Sequence, residues 1–109
     1  MQVEEKSWKY LVLWQFDVRA GCEIQFEEAY GPNGDWVRLF RTAIGFAMTE
    51  LTRNSQNRTQ YVTLDYWVSK EAYDEFRKRH EAEYALLDTQ CQGLTEREVE
   101  LGRFDKVGD

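Results

Sequence analysis

His80, Asp65, Trp67 and Tyr73 are the residues of this chain whose types and spacing suit chemistry. His80 is its single histidine. Around it Tyr73, Phe76, Tyr84, Leu87, Cys91 and Leu94 recur at helical spacing, and His80 fills the gap between Phe76 and Tyr84. That spacing predicts an imidazole turned toward the sheet, among aromatics. There a neutral ring can exchange a proton near neutral pH, or ligate an added metal. Asp65 and Trp67 alternate with Tyr61 and Thr63 on one strand face. If that face meets His80, then Asp65, His80, Trp67 and Tyr73 make an aromatic pocket holding one acid and one base. A carboxylate can fix the tautomer of an imidazole and raise its basicity. A Trp can stack on a planar ligand. Such a set suits deprotonation of a phenol or quinol. The plainer alternative is a hydrogen-bonded core imidazole, a core Trp67 and a solvated or capping Asp65.

Other residues carry weaker signals. Trp36 and Phe40 can roof the same pocket, because the Gly31-Pro32-Asn33-Gly34 break frees their segment. Glu50 is a second acid, more simply read as a surface partner for an Arg on a neighbouring strand. Arg77-Lys78-Arg79 can bind a carboxylated ligand, or form a solvated face paired with Glu71, Asp74, Glu75, Glu81 and Glu83. Trp14 and Phe16 read as core or dimer contacts.

Composition narrows the classes. The chain has 109 residues, 14 Lys plus Arg and 20 Asp plus Glu, for a formal net charge of −6. That length predicts one domain over 1–109, with a core at about 10–104. The acidic balance disfavours nucleic acid and anionic membranes as partners. No apolar run approaches the ~18–20 residues of a bilayer span, and Met1 to Lys9 lacks a signal-peptide core, so a cytoplasmic protein is expected. Cys22 and Cys91 are too far apart in sequence for a CxxC pair and read as thiols. One His without a Cys/His cluster makes a zinc site improbable, and no Gly-rich phosphate loop or Gly-x-Ser-x-Gly elbow occurs. No cofactor and no metal are expected.

These side chains need elements to position them. Tyr10–Arg19 alternates as a strand. Cys22–Tyr30 and a second piece starting at Asp35 read as helices on either side of the Gly31–Gly34 break. Phe46–Arg53 and Tyr61–Val68 read as strands joined by the polar turn Asn54–Arg58, which makes an antiparallel hairpin. Ser69 is an N-cap for one long helix to about Gln92, stopped by Gly93. Thr95–Phe104 is a last strand, with Val99, Leu101, Arg97 and Arg103 on one face. Lys106–Asp109 reads as a loose tail. The order β-α-β-β-α-β is the α+β ferredoxin-like arrangement, a four-stranded antiparallel sheet with helices on one face. Strands one and three are apolar on both faces, so a homodimer packed through its sheet faces is expected.

The stretch Gly45-Phe46, Glu50-Leu51, Tyr61-Val62-Thr63-Leu64-Asp65-Tyr66-Trp67, Ser69, Glu71-Ala72-Tyr73, Phe76 and His80 resembles the antibiotic biosynthesis monooxygenase-like domains. Val18-Arg19-Ala20-Gly21 resembles the end of their first strand, and the likeness runs from about Leu11 to Phe104. The resemblance implies a dimeric α/β barrel with a cavity between helices and sheet. It also suggests a cofactor-independent monooxygenase of a small phenolic or quinol-like aromatic, with His80 and Asp65 catalytic and Trp67, Tyr73, Trp36 and Phe40 binding substrate. A non-catalytic dimeric domain that binds a small ligand or a partner is the alternative, since a shared fold does not fix function. Haem binding or degradation is the third. The haem-degrading relatives carry an Asn where this chain has Trp14. They place the ligating His at the position of Arg77, one helical turn, or about 5 Å, before His80.

Overall fold

Period-two alternation in four segments and helical spacing in the rest produce one sheet covered on one side. The computed structural model describes residues 7–108. In chain order it holds β1 (Tyr10–Val18), α1 (Glu23–Tyr30), α2 (Asp35–Phe40), β2 (Phe46–Arg53), β3 (Gln60–Trp67), α3 (Lys70–Arg79), α4 (Glu81–Cys91), a 3₁₀ turn (Gln92–Leu94) and β4 (Thr95–Asp105). The strands lie in the order β2-β3-β1-β4, every neighbouring pair antiparallel. This is the ferredoxin-like α+β topology.

The sheet's inner face carries Tyr10, Val12, Phe16 and Val18 from β1, and Tyr61, Thr63, Asp65 and Trp67 from β3, all buried. Phe26, Tyr30, Trp36, Val37, Phe40, Tyr73 and Phe76 descend onto it from the helices. Sixteen buried apolar or aromatic side chains among the described residues make a single core. The outer face holds Leu11, Leu13, Val62, Leu64 and Tyr66, each half-buried, and Phe104, which is exposed.

Local chemistry sets the joints. Ser69 Oγ accepts from Ala72 N at 3.0 Å and caps α3. Gly45 lets α3 approach the start of β2, since a Cβ there would lie 2.3 Å from Ala72 Cβ. Gly102 adopts φ 154° beside a bulge, where Leu13 pairs Gly102 but Trp14 pairs Glu100.

Three expectations are corrected. The long helix from Ser69 to Gln92 is two helices, because His80 leaves helical geometry at φ −111°, ψ 28°. Arg77, Lys78 and Arg79 close α3, while Glu81 and Glu83 open α4, and each set of charges suits the dipole of its own terminus. The simple alternation expected in β4 fails at the bulge. Arg103, opposite Val12, shares the inner face with Glu98 and Glu100, whereas Val99 faces outward opposite Gln15. The tail does not begin at Lys106, whose N–H donates to Lys9 O at 2.8 Å, with Nζ 5.1 Å from the Trp8 ring. Asp109 lies outside the described residues.

Candidate functional site

β1 and β3 form the floor of a cavity of about 230 Å³, and α1, α2, α3 and α4 wall it. Trp14, Phe16, Thr63 and Asp65 come from the two central strands, and Thr49 from β2. Tyr30, Trp36, Phe40, Arg77 and Tyr84 come from the helices, while Asp88 and Glu98 are exposed polar residues of the lining. Period-two geometry explains the floor. Thr49, Asp65, Val12 and Arg103 pair across β2, β3, β1 and β4, so the polar and apolar members of this row point to one side of the sheet.

Asp65 is the buried acid of this floor, 9 % exposed. Its carboxyl accepts one hydrogen bond, from Thr49 Oγ1 at 2.7 Å, and it has no ion-pair partner among the described residues. Loss of water pushes its pKa up from 3.8 to about 7, and the Thr49 hydroxyl offsets part of that rise. A carboxylate so placed exchanges protons at neutral pH.

The aromatic walls interlock. Trp36 packs edge-on against Tyr84 at 4.9 Å between ring centroids, and tilted against Tyr30 and Phe40. Trp36 Nε1 is buried and finds no acceptor in hydrogen-bonding geometry. Burial holds the Tyr30 and Tyr84 hydroxyls well above the ordinary phenol range, so both stay protonated donors.

The structure brings together Asp65, Trp36 and Phe40 among the residues singled out from sequence. His80 is not in the lining. It sits at the α3–α4 joint, with Nδ1 2.9 Å from Glu83 Oε2 and its ring 5.3 Å from that of Phe76. Asp65 and His80 thus each have a different partner and form no dyad. Trp67, fully buried, is held by Phe40, Phe46, Tyr73 and Phe76 beneath the cavity wall. Tyr73 is likewise in the core and outside the lining, with its hydroxyl accepting from Arg77 Nη1 at 3.0 Å. Trp14 and Phe16 sit on the inner face of the sheet, Phe16 in the core and Trp14 packed against it, where both also face the cavity, so the core reading holds and the sheet-to-sheet one does not. Glu50 pairs with no Arg among the described residues and instead accepts from the Tyr66 hydroxyl at 2.6 Å on the outer face.

Sequence reasoning missed Thr49, Thr63, Tyr30 and Tyr84 as lining residues. Thr49 falls in register with Asp65, but a bulge between Phe46 and Met48 puts Phe46 and Thr49, three residues apart, both on the buried side, so alternation counted from Phe46 places Thr49 on the wrong face. Arg77 was assigned with its neighbours to a ligand or to a solvated face. Lys70 pairs with Asp74 and Arg79 with Glu75 on that face, but Arg77 turns inward.

An antiparallel β2-β3-β1-β4 sheet with helices on one face and an aromatic cavity between the layers defines a ferredoxin-like domain. The antibiotic biosynthesis monooxygenase family matches residues 9–85, and the chain belongs to it. Solved structures share the fold. SnoaB, a cofactor-independent oxygenase from Streptomyces nogalater, is 17 % identical with a TM-score of 0.75, over 94 % of this chain and 97 % of that one. A candidate antibiotic biosynthesis monooxygenase from Bordetella bronchiseptica is also 17 % identical, with a TM-score of 0.74 over 93 % and 99 %. PA3566 from Pseudomonas aeruginosa gives 10 % identity and a TM-score of 0.64 over 96 % and 100 %. No match was found among the curated proteins. No described helix is long and apolar enough to cross a membrane.

Proposed function

We propose that this chain is a cofactor-independent monooxygenase of a small phenolic or quinol-like aromatic, with Asp65 as its base. The observation that carries this is the aromatic-walled cavity whose floor presents one buried carboxyl with a pKa of about 7. Membership of the family and likeness to an oxygenase described as cofactor-independent support it. The cavity lies below the ~300 Å³ typical of drug-sized sites, so it suits a mono- or bicyclic ligand.

The match of pKa values gives the chemistry its scale. An ordinary phenol ionises near ~10. Raising Asp65 from 3.8 to about 7 removes about 4 kcal/mol of the mismatch with such a proton. The Asp65 carboxylate takes the phenolic proton, and the phenolate gives one electron to O₂. The aryloxyl radical and superoxide then combine at a hydrogen-bearing ring carbon ortho or para to the oxygen. The resulting hydroperoxide anion takes the proton back from Asp65. Loss of water from that carbon leaves a quinone, so one oxygen atom enters the product and the other leaves as water. Trp14, Phe16, Trp36 and Phe40 hold the ring and exclude bulk water from the radical pair.

In this reading His80 is a structural residue of the helix joint, not the base. The domain works as a homodimer through its outer sheet face, where Leu11, Leu13, Val62 and Leu64 form a half-buried apolar surface. The test is O₂ uptake by metal-stripped protein with a panel of phenols, naphthols and mono- and bicyclic quinols. Uptake above the uncatalysed rate that vanishes in folded Asp65→Asn supports the proposal. Binding without uptake across the panel refutes it in favour of a non-catalytic ligand-binding domain.

A further inference from the structure

Arg77 is out of place for a residue of a solvated helix. On the exposed side of the helical layer Arg38 pairs with Asp35, Lys70 with Asp74 and Arg79 with Glu75, and Lys78 stands in solvent. Arg77 is half-buried, lines the cavity, and joins no ion pair among the described residues. Its Cζ lies 3.8 Å from the centroid of the Tyr84 ring, and Nη1 donates to the Tyr73 hydroxyl. Those contacts fix the plane of the guanidinium yet use one of its five N–H donors. A permanently charged fork held this way is matched by a planar carboxylate, which accepts two parallel hydrogen bonds.

We propose that Arg77 selects the substrate: the cavity takes an aromatic carboxylic acid, its carboxylate on Arg77 and its phenolic hydroxyl on Asp65. The inference deepens the oxygenase reading, and rests on it for the second contact only. Arg77 comes from the helical layer and Asp65 from the sheet, so a ligand holding both spans the cavity. Asp88 and Glu98 also line the cavity as exposed carboxylates and disfavour an acid placed elsewhere on its rim.

The test is anaerobic titration with 6-hydroxy-2-naphthoate and with its methyl ester, followed by tryptophan fluorescence and calorimetry. The wild-type chain is expected to bind the acid at least about tenfold more tightly than the ester, as a desolvated charge-assisted pair requires. Arg77→Gln abolishes that preference. Arg77→Lys, which keeps the charge without the fork, retains part of it and serves if Arg77→Gln fails to fold. Equal binding of acid and ester, no binding of either, or a preference that survives in folded Arg77→Gln overturns the inference. Because binding is read without O₂, the two readings fail separately. A preference without O₂ uptake sinks the oxygenase alone, and uptake without a preference sinks the role of Arg77 alone.

Discussion

Replacing Asp65 by Asn should make the protein progressively more stable relative to its parent as pH rises from about 4 to about 7. The carboxyl is buried, held by the Thr49 hydroxyl alone, and its pKa rises from 3.8 to about 7. Between those values the folded chain keeps a proton that the unfolded chain has lost. Stability therefore falls as pH rises from about 4 to about 7, and stays low above that. The difference of about three pH units corresponds to at most about 4 kcal/mol. Asn cannot ionise, so the variant escapes this cost. Its amide still offers an oxygen to Thr49, while the new NH₂ group adds an offset that does not change with pH. The pH slope of the difference is thus the diagnostic quantity. Thermal melts of both proteins from about pH 4 to about pH 8.5 would show the variant gaining on its parent with rising pH. Even 1 kcal/mol moves Tm by about 4–8 °C in a domain of this size. A Tm difference that is flat with pH, or that shrinks as pH rises, would refute the desolvated carboxyl and with it the base. The same variant should lose O₂ uptake, so stability and activity part company at one residue.

Thr49→Val removes the one hydrogen bond that favours ionised Asp65. The pH midpoint of O₂ uptake, expected near 7 and rising with pH, should move upward by about 1 unit; a downward move would contradict the placement. His80→Ala should leave turnover within about twofold, because the ring touches Phe76 and Glu83 and not the cavity. It should cost about 1 kcal/mol in a denaturant melt, and loss of activity in a folded variant would restore His80 as the base. Gly45→Ala should destabilise by about 1–3 kcal/mol, since its Cβ would meet Ala72 Cβ at 2.3 Å. Gly93→Ala, with nothing within 4 Å of its Cβ, is the matched control for that melt.

Local rules were enough for much of the architecture. Alternation put Tyr61, Thr63, Asp65 and Trp67 on one buried face, because successive side chains of a regular strand point to opposite sides. Ser69 announced its helix because a capping hydroxyl acts within three residues. Those signals, with the order of the elements, were legible without any long-range contact. The site was legible only in part. Asp65, Trp36 and Phe40 meet at the cavity, but Trp67 and Tyr73 were assigned to it on face and type alone, and neighbouring rings take both into the core. The helix face of His80 was read from one continuous periodicity. The break at His80 resets that phase, and the charge reversal from Arg77-Lys78-Arg79 to Glu81 and Glu83 was its only local sign. Whether Arg77 faces water or the cavity depends on how α3 docks against the sheet, and the lack of room for a Cβ at Gly45 beside Ala72 shows how tightly that docking is set. The proton affinity of Asp65 is also a tertiary property. The residue type sets 3.8, and the layers that exclude water around it set about 7.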